Sequence, residues 1–404
     1  MKYKFCKNIR CEKVKNEYIV GDIFTGTIIT LTKDGEKLIK HIQKNKDIND
    51  IEFLSNEQQE LFSFLLSNNF IIEKNKEEKQ INYLRTVYLH VNNVCNFSCH
   101  GCYSGSLRSG AFRFISNEET KILGEQLVSK GCKQVIVSGG EPMMSTNIYD
   151  VVKTLKEEGI SFISLISNGF ENTDKYLSMY DYVDNISFSL DGYSDTSSTI
   201  RPKSTVRKIK GLVKKLHDYE KNVSLIITIH HFNLRDIDLF IEMVDNLRVN
   251  FNFSVYLSFD DNDPFRLTKE DFYFLNDWID KHSMHKYFEE SNLAYKETCG
   301  LAKHICSIDQ NLDVYPCHMM MREEYKLGSL KKDRLHSILS KPETIRLQTN
   351  FVFKNEECKM CEVKHFCGGG CIARSISEEK NKNTVDPLCK SYKCQISSYL
   401  ESIF

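Results

Sequence analysis

Cys95, Cys99 and Cys102 are spaced C-x3-C-x2-C in a loop that follows an alternating apolar run, Val87-Tyr88-Leu89-His90-Val91. Three thiolates brought together in one loop make a metal site, one ligand short of the four that close a 4Fe–4S cluster. A missing fourth ligand leaves one iron with a free position, as a catalytic metal site keeps one open for substrate. The alternatives are a zinc knuckle short of one ligand, or thiols with no metal partner. A second group lies near the C-terminus: Cys358-x2-Cys361-x5-Cys367-x3-Cys371 and then Cys389, with Cys299, Cys306 and Cys317 upstream. Two structural zinc sites are the alternative there.

The elements that must position these residues fit in 404 residues, which allows two or three domains and an ample core. Hydrophobic content of 41% and charged content of 27% are those of a globular protein, and a net charge of −1 gives no sign of a nucleic-acid or membrane surface. No apolar run approaches the roughly 20 residues of a membrane span, and no signal segment opens the chain. A cytoplasmic location is expected, where fifteen cysteines argue for metal or catalysis over disulfides. Cys6, Cys11, Cys132 and Cys394 stand outside the spaced groups and read as packed thiols.

Residues 1–79 read as a unit of their own. Strands are expected at Tyr18–Val20 and Gly26–Leu31, and Thr32 can cap a helix with Leu38, Ile39 and Ile42 inward. Ser55-x-x-Gln58 is a capping box opening a helix with Leu61, Phe62, Leu65 and Leu66. Phe70–Ile72 returns as a strand, and the charged run Lys74–Lys79 is a linker. Residues 80–290 alternate strands with helices. The strands are Thr86–Val91, Gln134–Val137, Phe162–Ile166, Ile186–Leu190, Leu225–Ile229 and Phe251–Leu257; Ser116-x-x-Glu119 caps a helix bearing Ile122, Leu123 and Leu127. Six such units make a parallel sheet curled into a partial (β/α)6 TIM-like barrel, an α/β fold that places chemistry at the C-terminal ends of its strands.

The motifs fall at those ends. Gly139-Gly140-Glu141-Pro142 follows the second strand, Ser167-Asn168-Gly169 the third and Ser189-Leu190-Asp191-Gly192 the fourth. Glycines let backbone approach a ligand closely, and Glu141 offers an acceptor. Asp260 and Asp261, past the sixth strand, are acid candidates by position.

C-x3-C-x2-C after a first strand, with Gly-Gly-Glu-Pro after the second, resembles the radical S-adenosylmethionine (SAM) superfamily. The resemblance implies that the open iron is chelated by the amino and carboxylate groups of SAM, which is cleaved to a 5′-deoxyadenosyl radical. It implies that Gly139, Gly140 and Glu141 hold the methionine amine, and that Ser167, Asn168 and Ser189 hold the ribose and carboxylate. Arg201 or Arg207 pairs with the carboxylate, and the spacing leaves both open. Family members carry an aromatic immediately before the third cysteine, against the adenine; here that position is Gly101, with Tyr103 and Phe97 nearby.

The C-terminal cysteines, residues 291–404, resemble the SPASM domain, which implies two auxiliary 4Fe–4S clusters and three clusters in all. On that pattern Cys299, Cys306, Cys317 and Cys371 bind the first and Cys358, Cys361, Cys367 and Cys389 the second; some members leave the position of Cys306 open. The family's glycine five residues before Cys317 is Leu312 here, so Asp309–Asn311 must make that turn. His318-Met319-Met320-Met321 reads as core filling. Residues 1–79 resemble the winged-helix-like precursor-recognition element of peptide maturases, to which a leader peptide adds as an extra strand.

Together these imply a radical SAM peptide maturase of the sactipeptide or ranthipeptide kind, forming a thioether in a precursor peptide and fed by a low-potential flavodoxin or ferredoxin. The alternatives are a sulfatase-maturating type of formylglycine-generating enzyme, a small-molecule radical dehydrogenase, or a non-catalytic metal-binding scaffold that recruits a peptide.

Overall fold

The computed structural model describes residues 2–14, 17–44, 55–77, 84–108, 111–283, 294–348, 355–379 and 384–403. The boundaries expected at 79/80 and 290/291, with Glu78 and Lys79 of the expected linker, lie outside the described residues.

The N-terminal unit opens with two strands the sequence did not suggest, β1 (Tyr3–Phe5) and β2 (Ile9–Val14). β2, β3 (Glu17–Asp22) and β4 (Ile28–Leu31) form an antiparallel sheet in that order, and β1 pairs with β5 (Ile71–Glu73). Thr32 caps α1 (Lys33–Gln43), whose Leu38, Ile39 and Ile42 are buried as expected. The Ser55–Gln58 capping box opens α2 (Asn56–Ser67), and both of its bonds are present. That helix buries Leu65 and partly buries Leu61 and Phe62, whereas Leu66 faces outward. The unit is clasped onto the rest of the chain. Val14, Ile19 and Ile23 belong to the main core, Arg10 pairs with Glu297 at 2.7 Å, and the Tyr295 hydroxyl donates to Glu12 at 2.5 Å.

Six parallel strands follow, all within a residue or two of their expected places: β6 (Thr86–His90), β7 (Gln134–Ser138), β8 (Phe162–Ser167), β9 (Asn185–Leu190), β10 (Val223–Ile229) and β11 (Asn250–Val255). Alternate residues such as Val87, Leu89, Val135, Val137, Leu165 and Phe188 pack into the main core. The intervening positions carry Ser138, Ser164, Ser187, Ser189 and Ser224, and the Asn185 amide donates to the hydroxyls of Ser164, Ser187 and Ser224. The two-residue period thus gives the sheet one apolar face and one mixed face, where these serines stand among Tyr88, Ile136, Ile166 and Ile226. The capping box at Ser116 opens α3 (Asn117–Ser129), which buries Leu123 and Leu127 but leaves Ile122 exposed.

The sheet does not end at β6. A strand of the C-terminal region, β12 (Ile305–Ile308), runs parallel to β6 with Ser307 opposite Tyr88; β13 (Asp313–Tyr315) and β14 (Gly328–Ser329) extend it antiparallel. The barrel is therefore partial, and the C-terminal region continues its sheet. The turn between β12 and β13 is the one expected: Asp309 Oδ1 accepts from the N–H groups of Asn311 and Asp313, both at 2.9 Å. Leu312 takes a left-handed φ of +66° there, at a cost of about 1–2 kcal/mol that its burial offsets. Among the described residues no helix is long and apolar enough to cross a membrane.

Candidate functional site

The cysteine loop is fixed to the loop after β7 by backbone contact. Gly140 N–H donates to Asn92 O at 2.9 Å and Glu141 N–H to Val94 O at 2.7 Å. A Cβ on Gly140 would lie 2.1 Å from Val94 O, and Gly139 has φ +150° with the Asn92 carbonyl 2.8 Å from its missing Cβ. The two glycines are required by this approach. Asn92, a residue the motif reading passed over, locks the junction. Its Nδ2 donates to Glu141 O and Ser145 Oγ, and its Oδ1 accepts from Val94 and Gly140.

The junction lines an open-mouthed cavity at the C-terminal ends of the strands. Cys95, Cys99 and Cys102 face it together with Gly139, Gly140, Glu141, Ser167, Asn168, Ser189, Arg201 and Tyr103. Each thiol meets a hydrogen-bonding neighbour: Phe97 N–H (3.4 Å) and Asn168 Nδ2 (3.8 Å) at Cys95, Arg201 Nη1 (3.9 Å) at Cys99, and Ser104 Oγ (3.3 Å) at Cys102.

Arg201 and Arg207, left open by the sequence, are separated by the structure. Arg207 is 81% exposed and reaches Asp195 at 3.5 Å, away from the cavity. Arg201 lines the cavity and its Nε is buried with no hydrogen-bond partner. The loop that presents Arg201 is tied down by buried Asp191, which accepts from Ser198 Oγ (2.7 Å), Thr199 N–H (2.8 Å) and Ile200 N–H (2.6 Å). Asp260 and Asp261 do not line the cavity; Asp261 pairs with Arg266.

Glu141 is buried, with its carboxylate already engaged. Oε1 accepts from Ser167 Oγ (2.8 Å) and Met143 N–H (3.1 Å), and Oε2 from Asn168 N–H (2.7 Å). Burial pushes its carboxyl up to about 7 against the pull of these donors and of Arg201. Glu141→Gln is consequently a structural change as well as an electrostatic one, because the amide NH2 must face a donor. Stability should fall by about 1–3 kcal/mol on chemical denaturation, and affinity for a cationic ligand by roughly ten- to hundredfold. A variant unchanged in both would remove Glu141 from the site.

The same carboxyl sets a pH dependence. The anion accepts from the N–H groups of a ligand amine, so below about pH 7 binding must expel a proton from Glu141 and affinity falls, approaching about tenfold per pH unit. Above about pH 7 the Glu141 contribution levels off. Equilibrium dialysis of SAM across that range checks it; a flat profile would mean that Glu141 does not face the amine.

The C-terminal cysteines form two sets. Burial raises the Cys317 thiol and the nearby Cys371 and Cys299 raise it further; the three meet in an apolar cluster with Leu301, Met320 and Ile372, beside Leu257. Leu257 and Met319 also line the first cavity. Cys306 is not with them. It is fully buried in the main core on β12, where its thiol is close to that of Cys132. The structure therefore corrects the four-cysteine first set to three. Cys358, Cys361, Cys367 and Cys389 line one separate cavity.

Gly368, Gly369 and Gly370, all at positive φ, carry the chain from Cys367 of one set to Cys371 of the other. A Cβ on Gly368 would lie 2.7 Å from Thr298 O, and one on Gly370 2.5 Å from Asp386 Oδ2. Asp386 anchors the switch, accepting from Cys371 N–H (2.5 Å) and from buried Arg374 through Nε and Nη2, both at 2.8 Å. Asp386→Ala strands the Arg374 charge and should cost about 3–5 kcal/mol in a denaturant titration. A loss under about 1 kcal/mol would mean that the pair does not hold the two sets together.

The residues fit the groups that the sequence implies. A trio of thiols with hydrogen-bonding neighbours, an orphaned Arg201 Nε and a glycine-walled recess face one cavity, which suits an iron–sulfur cluster and an amino-acid head beside it. Among the described residues no three His, Cys, Asp or Glu side chains are arranged to hold a single ion, as a closed zinc site requires.

Residues 89–244 match the radical SAM superfamily and residues 299–362 the iron–sulfur cluster-binding SPASM domain. The GTP 3′,8-cyclase of Psychromonas ingrahamii is 25% identical over 46% of this chain and 56% of its own length. The sporulation killing factor maturation protein SkfB of Bacillus subtilis is 24% identical over 39% of each chain. The chain thus spans about half the length, or less, of these curated relatives. SuiB of Streptococcus suis, solved bound to its precursor peptide SuiA, superposes with a TM-score of 0.60 at 16% identity over 95% of this chain and 98% of its own. That likeness shows a shared fold.

Proposed function

We propose that this chain, which carries a radical SAM domain and a SPASM domain, modifies a ribosomally made precursor peptide by hydrogen abstraction and forms a thioether cross-link in it. The observation that carries the radical chemistry is the meeting of three hydrogen-bonded thiols, Glu141 and Arg201 around one cavity. The peptide reading is supported by the N-terminal sheet and by the likeness to SuiB, solved with a precursor peptide, which extends over 95% of this chain.

Cys95, Cys99 and Cys102 would hold a 4Fe–4S cluster with one iron open. Cys358, Cys361, Cys367 and Cys389 would hold a second cluster, and Cys299, Cys317 and Cys371 a third. Bound at the first site, cluster and SAM would supply a radical able to take hydrogen from an unactivated C–H bond. The chain's own part is positional. Glu141 faces the ligand amine, Arg201 offers its guanidinium to the carboxylate, and Asp191 keeps Arg201 in place. Ser167 and Asn168 brace Glu141, and Ser189 lines the same wall. A low-potential flavodoxin or ferredoxin is the expected electron donor, in the reducing cytoplasm.

The test is anaerobic incubation of reconstituted protein with SAM, a reductant and any short cysteine-containing peptide encoded beside its gene. A peptide that loses two hydrogens and one alkylatable thiol supports the reading. The likeness to GTP 3′,8-cyclases favours a small-molecule substrate as the second reading. Turnover of GTP in the same assay, with every peptide untouched, would establish that one instead.

A further inference from the structure

The helix Thr205–Asp218 packs on β9 and β10, burying Val206, Ile209, Leu212, Val213 and Leu216, and turns a basic face outward. Between Asp195 and Asp218 the chain carries seven Lys and Arg and no Asp or Glu, in a protein whose totals of 54 and 55 nearly cancel. Arg207, Lys208, Lys214 and Lys215 are exposed, and they flank an exposed glycine, Gly211, at three and four residues on either side. Residues at those spacings are neighbours on a helix surface, so four cations frame a position that has no side chain. Nothing lies within 4 Å of where a Cβ on Gly211 would be.

This face is unfavourable for the helix itself. Arg207 and Lys208 stand in the first turn, where the helix dipole opposes cations, and no acid offsets them there. Lys210 shares its charge with Arg207 three residues before it and Lys214 four after it, which is destabilising. Glycine is a weak helix former, and no close neighbour requires one here. Internal partners do not account for the charge. Arg207 reaches Asp195 at 3.5 Å while remaining 81% exposed, and Lys208 lies over the Phe170 ring at 4.7 Å. Lys214 and Lys215 make no ion pair among the described residues.

Its place in the fold selects the partner. The N-terminal end of the helix lies beside the cysteine loop: Arg201, four residues earlier, has its Nη1 3.9 Å from Cys99 Sγ. Phe170, which Lys208 covers, comes two residues after Asn168, whose Nδ2 is 3.8 Å from Cys95 Sγ. The N-terminal unit meets the chain elsewhere, at Arg85 before β6 and at Tyr295 and Glu297. β9 and β10 lie three and four strands along the sheet from β6. A partner on this face therefore approaches the cysteine loop without crossing the unit read as the leader site. The radical chemistry needs such a partner, one that brings an electron. A positive face steers an acidic protein and speeds its encounter, which suits the small, transient contacts of electron transfer.

We propose that the Gly211 face of this helix is the docking surface for a small acidic electron-transfer protein, with its carboxylates on Arg207, Lys208, Lys214 and Lys215 and its backbone against Gly211. The donor loses one electron and the Cys95–Cys99–Cys102 cluster gains it; no bond is made or broken. This rests on the reading of those cysteines as a cluster that cleaves SAM.

The experiment uses anaerobically reconstituted holoprotein with two donors of that class, an acidic flavodoxin and an acidic ferredoxin. Binding is followed by calorimetric titration and cluster reduction by stopped flow, at low and high salt. Lys214→Glu combined with Lys215→Glu should weaken donor binding and slow reduction by about tenfold at low salt. The difference should shrink at about 1 M salt, where the screening length falls to about 3 Å. Gly211→Leu should raise the thermal midpoint and still weaken donor binding, because its side chain fills the gap between the cations. Reduction by dithionite, SAM binding and iron content should match the wild type in both variants. Unchanged donor binding and reduction in both variants overturns the proposal, as does a wild type that dithionite reduces and neither donor binds. A charge-reversed variant that keeps donor binding and loses dithionite-driven peptide turnover would give the face to the peptide and equally overturn it. A wild type that forms no 5′-deoxyadenosine with dithionite overturns the reading of the cluster beneath the proposal as well.

Discussion

Cys95, Cys99 and Cys102 changed together to Ala should abolish formation of 5′-deoxyadenosine from SAM while the C-terminal clusters remain. The three thiols are the ones that share a cavity with Glu141 and Arg201, and each has a hydrogen-bonding neighbour. The loop carrying them is set by backbone bonds between Asn92, Val94, Gly140 and Glu141, which involve no thiol, so the change removes ligands with little cost to the fold. The C-terminal sets are held by Asp386, Arg374 and the three left-handed glycines, elsewhere in the chain. Reconstituted wild type should contain about twelve irons from three four-iron clusters, and the triple variant about eight. Retained 5′-deoxyadenosine production by the variant would place the chemistry elsewhere. Stoichiometric zinc in anaerobically isolated protein would restore the structural alternative for the C-terminal sets.

Thr30→Pro should cut peptide modification at least about tenfold and spare SAM cleavage. Deleting the N-terminal unit is a poor probe of its role, since Val14, Ile19 and Ile23 belong to the main core and Tyr295 packs on Gly21, 2.3 Å from where a Cβ would be. A single edge position is cleaner. Among the described residues β4 is an edge of the three-stranded sheet. Asp22 N–H donates to Thr27 O, and bonded pairs alternate in an antiparallel ladder, so Val20 and Ile29 face each other through bonds and the Thr30 N–H points outward. A leader added as a strand takes its affinity from such main-chain groups. Proline deletes that donor, and an edge strand tolerates it on its outward side. Thr30 is exposed, so core packing is untouched. Peptide turnover at limiting peptide should drop at least about tenfold, the worth of one strong hydrogen bond with the register it sets. Equal turnover by variant and wild type would mean that β4 receives no strand.

What the sequence made legible was what is local. The six barrel strands and the capping boxes at Ser55 and Ser116 fall where periodicity and spacing put them, because each signal lies within one element. The cysteine spacings and the Gly-Gly-Glu-Pro turn were equally readable. Asp309 supplied the turn at Leu312 through its own side chain, a signal two residues long.

What was missed depends on distant partners. β2 is a charged strand that reads as a surface segment until β3 pairs with it, and β12 has no local mark of joining β6. Cys306 looked like a ligand by its place in the cysteine order, yet the strand it lies on turns it into the core beside Cys132. Arg201 and Arg207 are equivalent by spacing; the Asp191 carboxylate that holds the Arg201 loop separates them. Tyr256 meets Gly101 only through the closure of the barrel.

The central claim is that one iron of the Cys95–Cys99–Cys102 cluster is left for SAM. The most direct measurement is hyperfine spectroscopy on the reduced holoprotein with SAM labelled by ¹⁵N in its amino group and ¹⁷O in its carboxylate. Both labels should couple to the cluster spin, and both couplings should vanish in the triple alanine variant. A reduced cluster signal in the wild type that shows neither coupling at saturating SAM would contradict the account.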